Sequence, residues 1–472
     1  MEQKHLVNPY LPSWEYIPDG EPYVFGDRVY VYGSHDSARG YVYCQNDYVC
    51  WSAPVKDLGN WRYEGVIYQK TQDPRNRDGR MCLYAPDVTR GPDGRYYLYY
   101  VLNRENVVSV AVCDTPAGAY QFYGYVHDRD GNLLGERPGD ENQFDPGVLT
   151  EGDVTYLYTG LCNLSNENAH GPMVTVLESD MLTIREDHRF IMPSLPYAKG
   201  TAYEDHAFFE APSIRKRGDT YYFIYSSVKY CEICYATSNS PVEGFRFGGV
   251  IVANNDVGVS SYKPAEMPMY YGGNNHGSIV EIEGQWYIFY HRHTNGTNFS
   301  RQACVERIEI LPDGSIPQVE MTSCGGKATP LPGVGEYPAH IACCLTTGDG
   351  TAYTDSTGGW MDSTYPKITQ DGGDDQECDG YVCGLRSGAT VGYRYFALKD
   401  VTSITFTARC YARGALHIRT QWDGPVLATV TVNGGNYWTD YTGSVTLPDG
   451  VHPLYFTYEG TGALSLLKFT LA

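Results

Sequence analysis

The chain has 472 residues, too many for one ordinary core, so two or three domains, or one large repetitive domain with a smaller companion, are expected. Hydrophobic residues at 42% with charged residues at 19% exclude a disordered chain, and a net charge of −21 argues against nucleic acid as a partner because a phosphate backbone would be repelled. No stretch is long and apolar enough to suggest a membrane span.

The distinctive entries are 43 Tyr, 52 Gly and 27 Pro. Tyr favours strands, whereas Gly and Pro punctuate them with turns, so the composition predicts an all-β protein rich in hairpins. The amino terminus, MEQKHLVNPYLPSWEY, has no basic region followed by an apolar one, and the expectation is a cytoplasmic chain whose 14 Cys are mostly unpaired. Cys231 and Cys234 form a CxxC in an apolar, strand-like setting with no second CxxC at zinc-finger spacing, which is a weak signal for a metal or redox role.

In chain order, five tyrosine-rich strands are predicted around Tyr30, Tyr97, Tyr156, Tyr222 and Tyr287, at intervals of 67, 59, 66 and 65 residues. Each follows a turn signal: FGDR, GPDGR, TEGDV, KRGDT and IEGQ. Ahead of each turn stands an ionisable residue at nearly constant distance. Asp19 lies 11 residues before Tyr30, Asp87 10 before Tyr97, Asp145 11 before Tyr156, Glu210 12 before Tyr222 and His276 11 before Tyr287. A repeat of this length built from short strands fits a five-bladed β-propeller, in which the first strand of each blade lines a central channel. The five polar side chains then converge on one pocket.

Several carboxylates in a partly desolvated site cannot all stay ionised cheaply, so at least one is forced to hold its proton. Glycoside hydrolysis needs that division: one carboxylic acid protonates the leaving oxygen, and one carboxylate activates water or attacks the sugar.

The stretches IPDGEPYVFGDRVYVYGSHD, LYAPDVTRGPDGRYYLYY, QFDPGVLTEGDVTYLYTG, FFEAPSIRKRGDTYYFIYSS and NNHGSIVEIEGQWYIFYHRH resemble, in order, the blade signatures of glycoside hydrolase family 43. The resemblance covers roughly residues 8–320 and implies an inverting glycosidase acting on arabinose- and xylose-containing polysaccharides. It implies Asp19 as general base, Asp145 as pKa modulator and Glu210 as general acid. It also implies a supportive Asp87, a sugar-contacting Arg301, a sugar-stacking Tyr84, and a His276 on the axis near a structural calcium ion or a water cluster. One departure concerns the base. The first motif reads Asp19-Gly20-Glu21-Pro22, and residues 19 and 21 of a strand share a face, so Glu21 is an alternative base, with Asp19 favoured by the ungapped match of the segment that follows.

His35 and Asp36 are candidates for the pocket rim or a turn, and residues 124–143 read as a long polar loop near the pocket mouth. The propeller is expected over residues 1–325, a Gly- and Pro-rich linker over 326–340, and a β-sandwich over 341–472. The tail of that sandwich resembles a family 6 carbohydrate-binding module, with Trp438 where such modules place a sugar-stacking aromatic. The functional expectation is an exo-acting enzyme releasing α-L-arabinofuranose or β-D-xylose from plant-derived oligosaccharides, with no cofactor required. The alternatives are a catalytically silent sugar-binding propeller and a glycosidase for another sugar such as galactose.

Overall fold

The computed structural model describes residues 6–162, 169–348, 364–374, 376–409 and 411–472. Five antiparallel sheets follow one another along the chain. Blade 1 is β1 (Glu21–Phe25), β2 (Arg28–Tyr32), β3 (Tyr48–Pro54) and β4 (Arg62–Tyr68). Blade 2 is β5 (Asp87–Arg90), β6 (Tyr96–Val101), β7 (Val108–Cys113) and β8 (Gln121–Tyr125). Blade 3 is β9 (Gly147–Glu151), β10 (Val154–Thr159), β11 (Met173–Leu177) and β12 (Ile184–Phe190). Blade 4 is β13 (Phe208–Arg217), β14 (Thr220–Ser227), β15 (Glu232–Ser238) and β16 (Arg246–Ala253). Blade 5 has three strands, β17 (Ser278–Ile282), β18 (Gln285–Thr294) and β19 (Thr297–Ile308). The chain is thus an all-β, five-bladed propeller followed by a β-sandwich.

The repeated turn signals have one cause. In each blade the hairpin from first to second strand turns through a glycine with positive φ: Gly26 at 65°, Gly94 at 86°, Gly152 at 63°, Gly218 at 59° and Gly284 at 79°. A side chain is strained in that conformation, so glycine recurs at the same phase of every unit.

The tyrosines follow from strand alternation. A middle strand of a blade is buried on both faces, and successive side chains enter different interblade cores. Leu98 and Tyr100 of β6 pack with Tyr32, Tyr48 and Val88, whereas Tyr97 and Tyr99 pack with Leu157 and Leu177. Their hydroxyls are satisfied inside: Tyr99 Oη donates to Met181 O (2.7 Å), Tyr100 Oη to Asp73 Oδ2 (2.6 Å) and Tyr158 Oη to Pro241 O (2.6 Å). A phenol fills the volume of a large apolar residue and pins a loop with its tip.

The ring closes near its start. Tyr10 N donates to Ala303 O, and the Asn8 side chain bonds both Val305 N and Val305 O, so the amino-terminal segment runs along β19. At the axis, Gly20 and Gly277 form a parallel bridge between blades 1 and 5.

The carboxy-terminal part folds into two facing six-stranded sheets. Within residues 326–340, Leu331–Pro332 pairs with Thr390–Leu398 and Gly335–Pro338 pairs with Leu464–Leu471, so that stretch is bound into the sandwich. The sandwich core is continuous with the outer side of blades 4 and 5: Ile251, Tyr270, Ile288 and Tyr290 share one apolar cluster with Leu331, Val391, Phe406 and Phe469. Two buried arginines cross the same boundary. Arg394 pairs with Asp256, and Arg292 donates to Ala342 O and His340 O, both at 2.6 Å. The full chain is therefore expected to melt in a single cooperative transition, and a chain ended after residue 325 to be insoluble, because truncation exposes this shared core. Calorimetry showing two separate transitions in the full chain would contradict this coupling.

Sandwich loops also reach the propeller segments that follow Asp36 and precede Asn298. Asp374 accepts from Ser37 Oγ (2.5 Å) and from Ala38 N, while Asn295 N donates to Ile368 O (2.7 Å) and Thr369 Oγ1 to Asn295 Oδ1 (2.8 Å). Trp438 carries Arg409 over its ring at 4.2 Å and has Tyr381 at 5.4 Å, so a cation already covers the aromatic expected to stack on sugar. No disulfide links the described cysteines.

Candidate active site

Three of the five repeated ionisable residues owe their aim to unusual backbone at the strand entrances. Asp19 has φ 58° and Asp145 has φ 47°, both in the left-handed region that non-glycine residues seldom occupy. Glu210 stands at a break in register of β13 against β14, with Ala211 beside it at φ 65°. A bulge of this kind turns a side chain out of the sheet plane and toward the axis. The result is a pocket of about 610 Å³ lined by Asp19, Asp145, Glu210 and His276, with Arg301 and Tyr84 among its walls.

Asp19 is held as a carboxylate acceptor. Arg301 Nη1 donates to its Oδ1 (2.9 Å), and His291 Nδ1 lies 3.4 Å from the same oxygen. Arg301 is itself fixed by Asp36, which accepts from Nε (2.8 Å) and Nη2 (3.0 Å) in a forked pair and from the Arg301 backbone N–H (3.0 Å). Asp36 thus supports the pocket from behind, and Arg301 spends its charge on Asp19 and Asp36. His35 instead contacts Glu15 (3.1 Å) and Asp47 O (2.9 Å), away from the pocket.

Glu210 and Asp145 titrate high. Burial, then the neighbouring Asp145 charge, pushes the Glu210 carboxyl up to about 8, so it carries its proton at neutral pH. Burial lifts Asp145 to about 7, with Asp19 adding to the rise and His276, Arg301 and the Ala211 N–H opposing it. His276 is drawn up to about 9: burial works against its charge, but Glu21, Asp145 and Asp19 outweigh that. It is an imidazolium at pH 7, with Nδ1 3.7 Å from Asp145 Oδ2 and 3.9 Å from Asp19 Oδ1.

That cation bears on the calcium ion implied by the resemblance. Calcium takes six to eight oxygen ligands at roughly 2.3–2.6 Å. Here the carboxylate oxygens facing His276 stand 3.7–3.9 Å from its ring, and Arg301 and Arg215 already engage Asp19 and Glu21. The residues do not offer a protein shell for calcium.

Glu21 does not reach the pocket. Its Oε2 accepts from Arg215 Nη2 (2.6 Å) and Ser213 Oγ (3.1 Å), and it is 1% exposed. Burial tends to raise its pKa, but Arg215 and His276 bring it below the ordinary 4.5. Its stabilising effect is therefore present above that value and lost as pH falls through the lowered one. The shared-face expectation fails because Asp19 is not on the strand: β1 begins at Glu21 and Asp19 has left-handed backbone, so Asp19 lines the pocket beside Arg301 while Glu21 is held by Arg215. Glu21→Gln removes the carboxylate that Arg215 donates to, leaving the more distant Asp87 as its remaining buried acid, and is expected to cost about 3 kcal/mol in urea unfolding. In the folded fraction, kcat should change far less than in an Asp19 variant.

Asp87 is also out of the pocket. It accepts from Tyr23 Oη, Val88 N and Val148 N, each at 2.7 Å, and so ties blades 1, 2 and 3 together. Tyr84 lines the pocket edge-on to Phe144 at 5.5 Å. Of residues 124–143, expected as a loop near the mouth, the first two end β8 and the rest run along blade 3, where His127 bridges to Thr183 and Arg137 pairs with Asp187 (2.8 Å). Other walls had no repeat to betray them, among them Tyr43 and Phe299, 4.7 Å apart, and the β14–β15 turn with Lys229, Tyr230 and Cys231.

The model of glycosyl hydrolases family 43 matches residues 17–316, the five blades with all of these carboxylates. The chain belongs to family 43. A carbohydrate binding module of family 6 matches residues 356–471. Among family 43 relatives, a "Xylosidase/arabinosidase" of Thermoclostridium stercorarium is 64% identical over 469 residues, 99% of each chain. A second "Xylosidase/arabinosidase", of Bacteroides ovatus, is 27% identical over 66% of this chain and 97% of its own. The arabinoxylan arabinofuranohydrolase structure from Bacillus subtilis superposes with TM-score 0.52 at 20% identity, covering 98% and 97% of the two chains. CoXyl43, a family 43 β-xylosidase/α-arabinofuranosidase from a compost microbial metagenome, superposes with TM-score 0.52 at 26% identity over 66% of this chain and 97% of that one.

Proposed function

We propose that this family 43 enzyme removes terminal α-L-arabinofuranosyl and β-D-xylosyl residues from xylan-derived oligosaccharides, with inversion at the anomeric carbon. The observation that carries this reading is the division of charge among three carboxyl groups in one pocket. Glu210 holds a proton, Asp19 is fixed by Arg301, and Asp145 lies where its charge lifts the first.

Glu210 donates its proton to the glycosidic oxygen as the bond to the anomeric carbon breaks. Asp19 takes a proton from a water that attacks that carbon from the opposite face. The proton lost by Glu210 appears on the leaving alcohol, and the one gained by Asp19 returns to solvent. Asp145 raises the affinity of Glu210 for its proton and, through His276, shares in the charge balance of the base. Tyr84, Phe144, Tyr43 and Phe299 give the sugar ring apolar walls. The 64% identical relative supports the choice of pentoses.

The reading is tested by product analysis on xylo-oligosaccharides with and without arabinosyl branches. Release of free xylose or arabinose with shortening or debranching of the oligomer is expected. Saturable binding without release of any sugar, under conditions where the protein is folded, would favour a silent sugar-binding propeller.

A further inference from the structure

The β14–β15 hairpin presents Lys229, Tyr230 and Cys231 to the pocket, and close to its base lies a cluster that takes no part in the chemistry above. His206, Glu232 and Cys234 bring a nitrogen, an oxygen and a sulfur within 4.8 Å of one another. His206 Nδ1 and Glu232 Oε1 are 2.6 Å apart, Cys234 Sγ and Glu232 Oε1 3.6 Å, and Cys234 Sγ and His206 Nδ1 3.9 Å. Glu232 and Cys234 share one face of β15, two residues apart, while His206 stands just ahead of β13.

We propose that His206, Glu232 and Cys234 form a binding site for a divalent transition metal of the zinc type. One thiolate, one imidazole and one carboxylate are a borderline-soft donor set, suited to zinc and unsuited to calcium or magnesium, which take oxygen ligands. Tetrahedral zinc, with bonds of about 2.0–2.3 Å, sets its ligands roughly 3.3–3.8 Å apart. Both sulfur separations already lie close to that range. The His206–Glu232 contact, 2.6 Å, opens by about 0.7 Å to admit the ion. The fourth position is left to water, and the path is open at His206, whose side chain is 23% exposed.

Supporting contacts fix the ligands. Ser227 Oγ donates to Glu232 Oε1, Tyr225 Oη donates to the His206 carbonyl (2.8 Å), and the His206 ring stacks on Phe247 at 5.0 Å. Such outer contacts orient metal ligands and fix their donor atoms. A thiol binds such an ion only as the thiolate, so metal uptake releases a proton. The CxxC is not itself the chelate: Cys231 faces the pocket, while Cys234 faces His206 and Glu232. The ion ties the segment ahead of Glu210 to the strand that follows Lys229 and Tyr230, bracing one wall of the pocket.

The test is a titration of untagged, chelator-stripped full-length protein with Co²⁺ as a coloured stand-in for Zn²⁺. One equivalent should bind with a thiolate-to-cobalt band in the near ultraviolet, which Zn²⁺ abolishes. Zn²⁺ but not Mg²⁺ should raise Tm. Cys234→Ser should lose the band, His206→Gln should weaken uptake at least about tenfold, and Cys231→Ser should keep the band. Absence of the band in folded wild type, or its survival in Cys234→Ser, overturns the site. Should Cys234→Ser not fold, undiminished uptake by folded His206→Gln overturns it equally. None of these readouts depends on which glycoside is cleaved.

Discussion

Glu210→Gln should lower kcat on an unactivated xylo-oligosaccharide by about 10³-fold, within the range that a positioned general acid supplies. The loss should shrink sharply on a nitrophenyl pentoside, because a phenolate that leaves easily needs no proton. A further consequence separates this acid from an ordinary active-site carboxylate. Its folded pKa, about 8, lies above the ordinary 4.5. The folded state therefore binds the extra proton, and the stability this group contributes is full below pH 4.5 and is lost as pH rises through about 8. Gln carries no such penalty, so Glu210→Gln should melt higher than wild type in mildly alkaline buffer, and the gap should close toward pH 4.5. The alkaline limb of kcat/KM in wild type should reflect the same proton. Equal losses on both substrate types, or a variant that melts lower at alkaline pH, would take Glu210 out of the acid role.

Asp19→Asn should have an effect at least as large, about 10³–10⁴-fold in kcat, and the same on good and poor leaving groups, since water activation is needed for both. The amide cannot accept the proton of the attacking water, and it leaves Arg301 with Asp36 as its remaining ionic partner. Arg301 stays buried and doubly bonded to Asp36, so the variant should fold and bind sugar with little change in Kd. A loss confined to poor leaving groups would show that Asp19 is not the base.

The positions of these groups were legible because a propeller repeats its phase. An ionisable residue ten to twelve positions ahead of the repeated tyrosine in each second strand marks the inner end of a blade whatever its identity. The same counting could not tell apart the fates of the five. Asp87 occupies the acid phase of blade 2, yet it meets Tyr23 and two backbone N–H groups and works as a fastener between blades. Glu21 stood as an alternative to the favoured Asp19 because strand alternation extends one turn too early, where a left-handed residue breaks it. Asp36 stood out only as a rim or turn candidate, and its hold on Arg301 was hidden because it depends on a contact 265 positions away in sequence. Tyr43, Lys229 and Phe299 lie on or beside turns, where side-chain direction is set by packing and not by period.

The measurement that bears most directly on the account is the anomeric form of the first sugar released, followed by proton NMR before mutarotation. A water activated by Asp19 on the face opposite Glu210 delivers the anomer opposite to that of the glycoside hydrolysed, so β-xylosides should give α-xylose first. Initial β-xylose would mean a covalent intermediate on a carboxylate and would contradict the division of roles between Asp19 and Glu210.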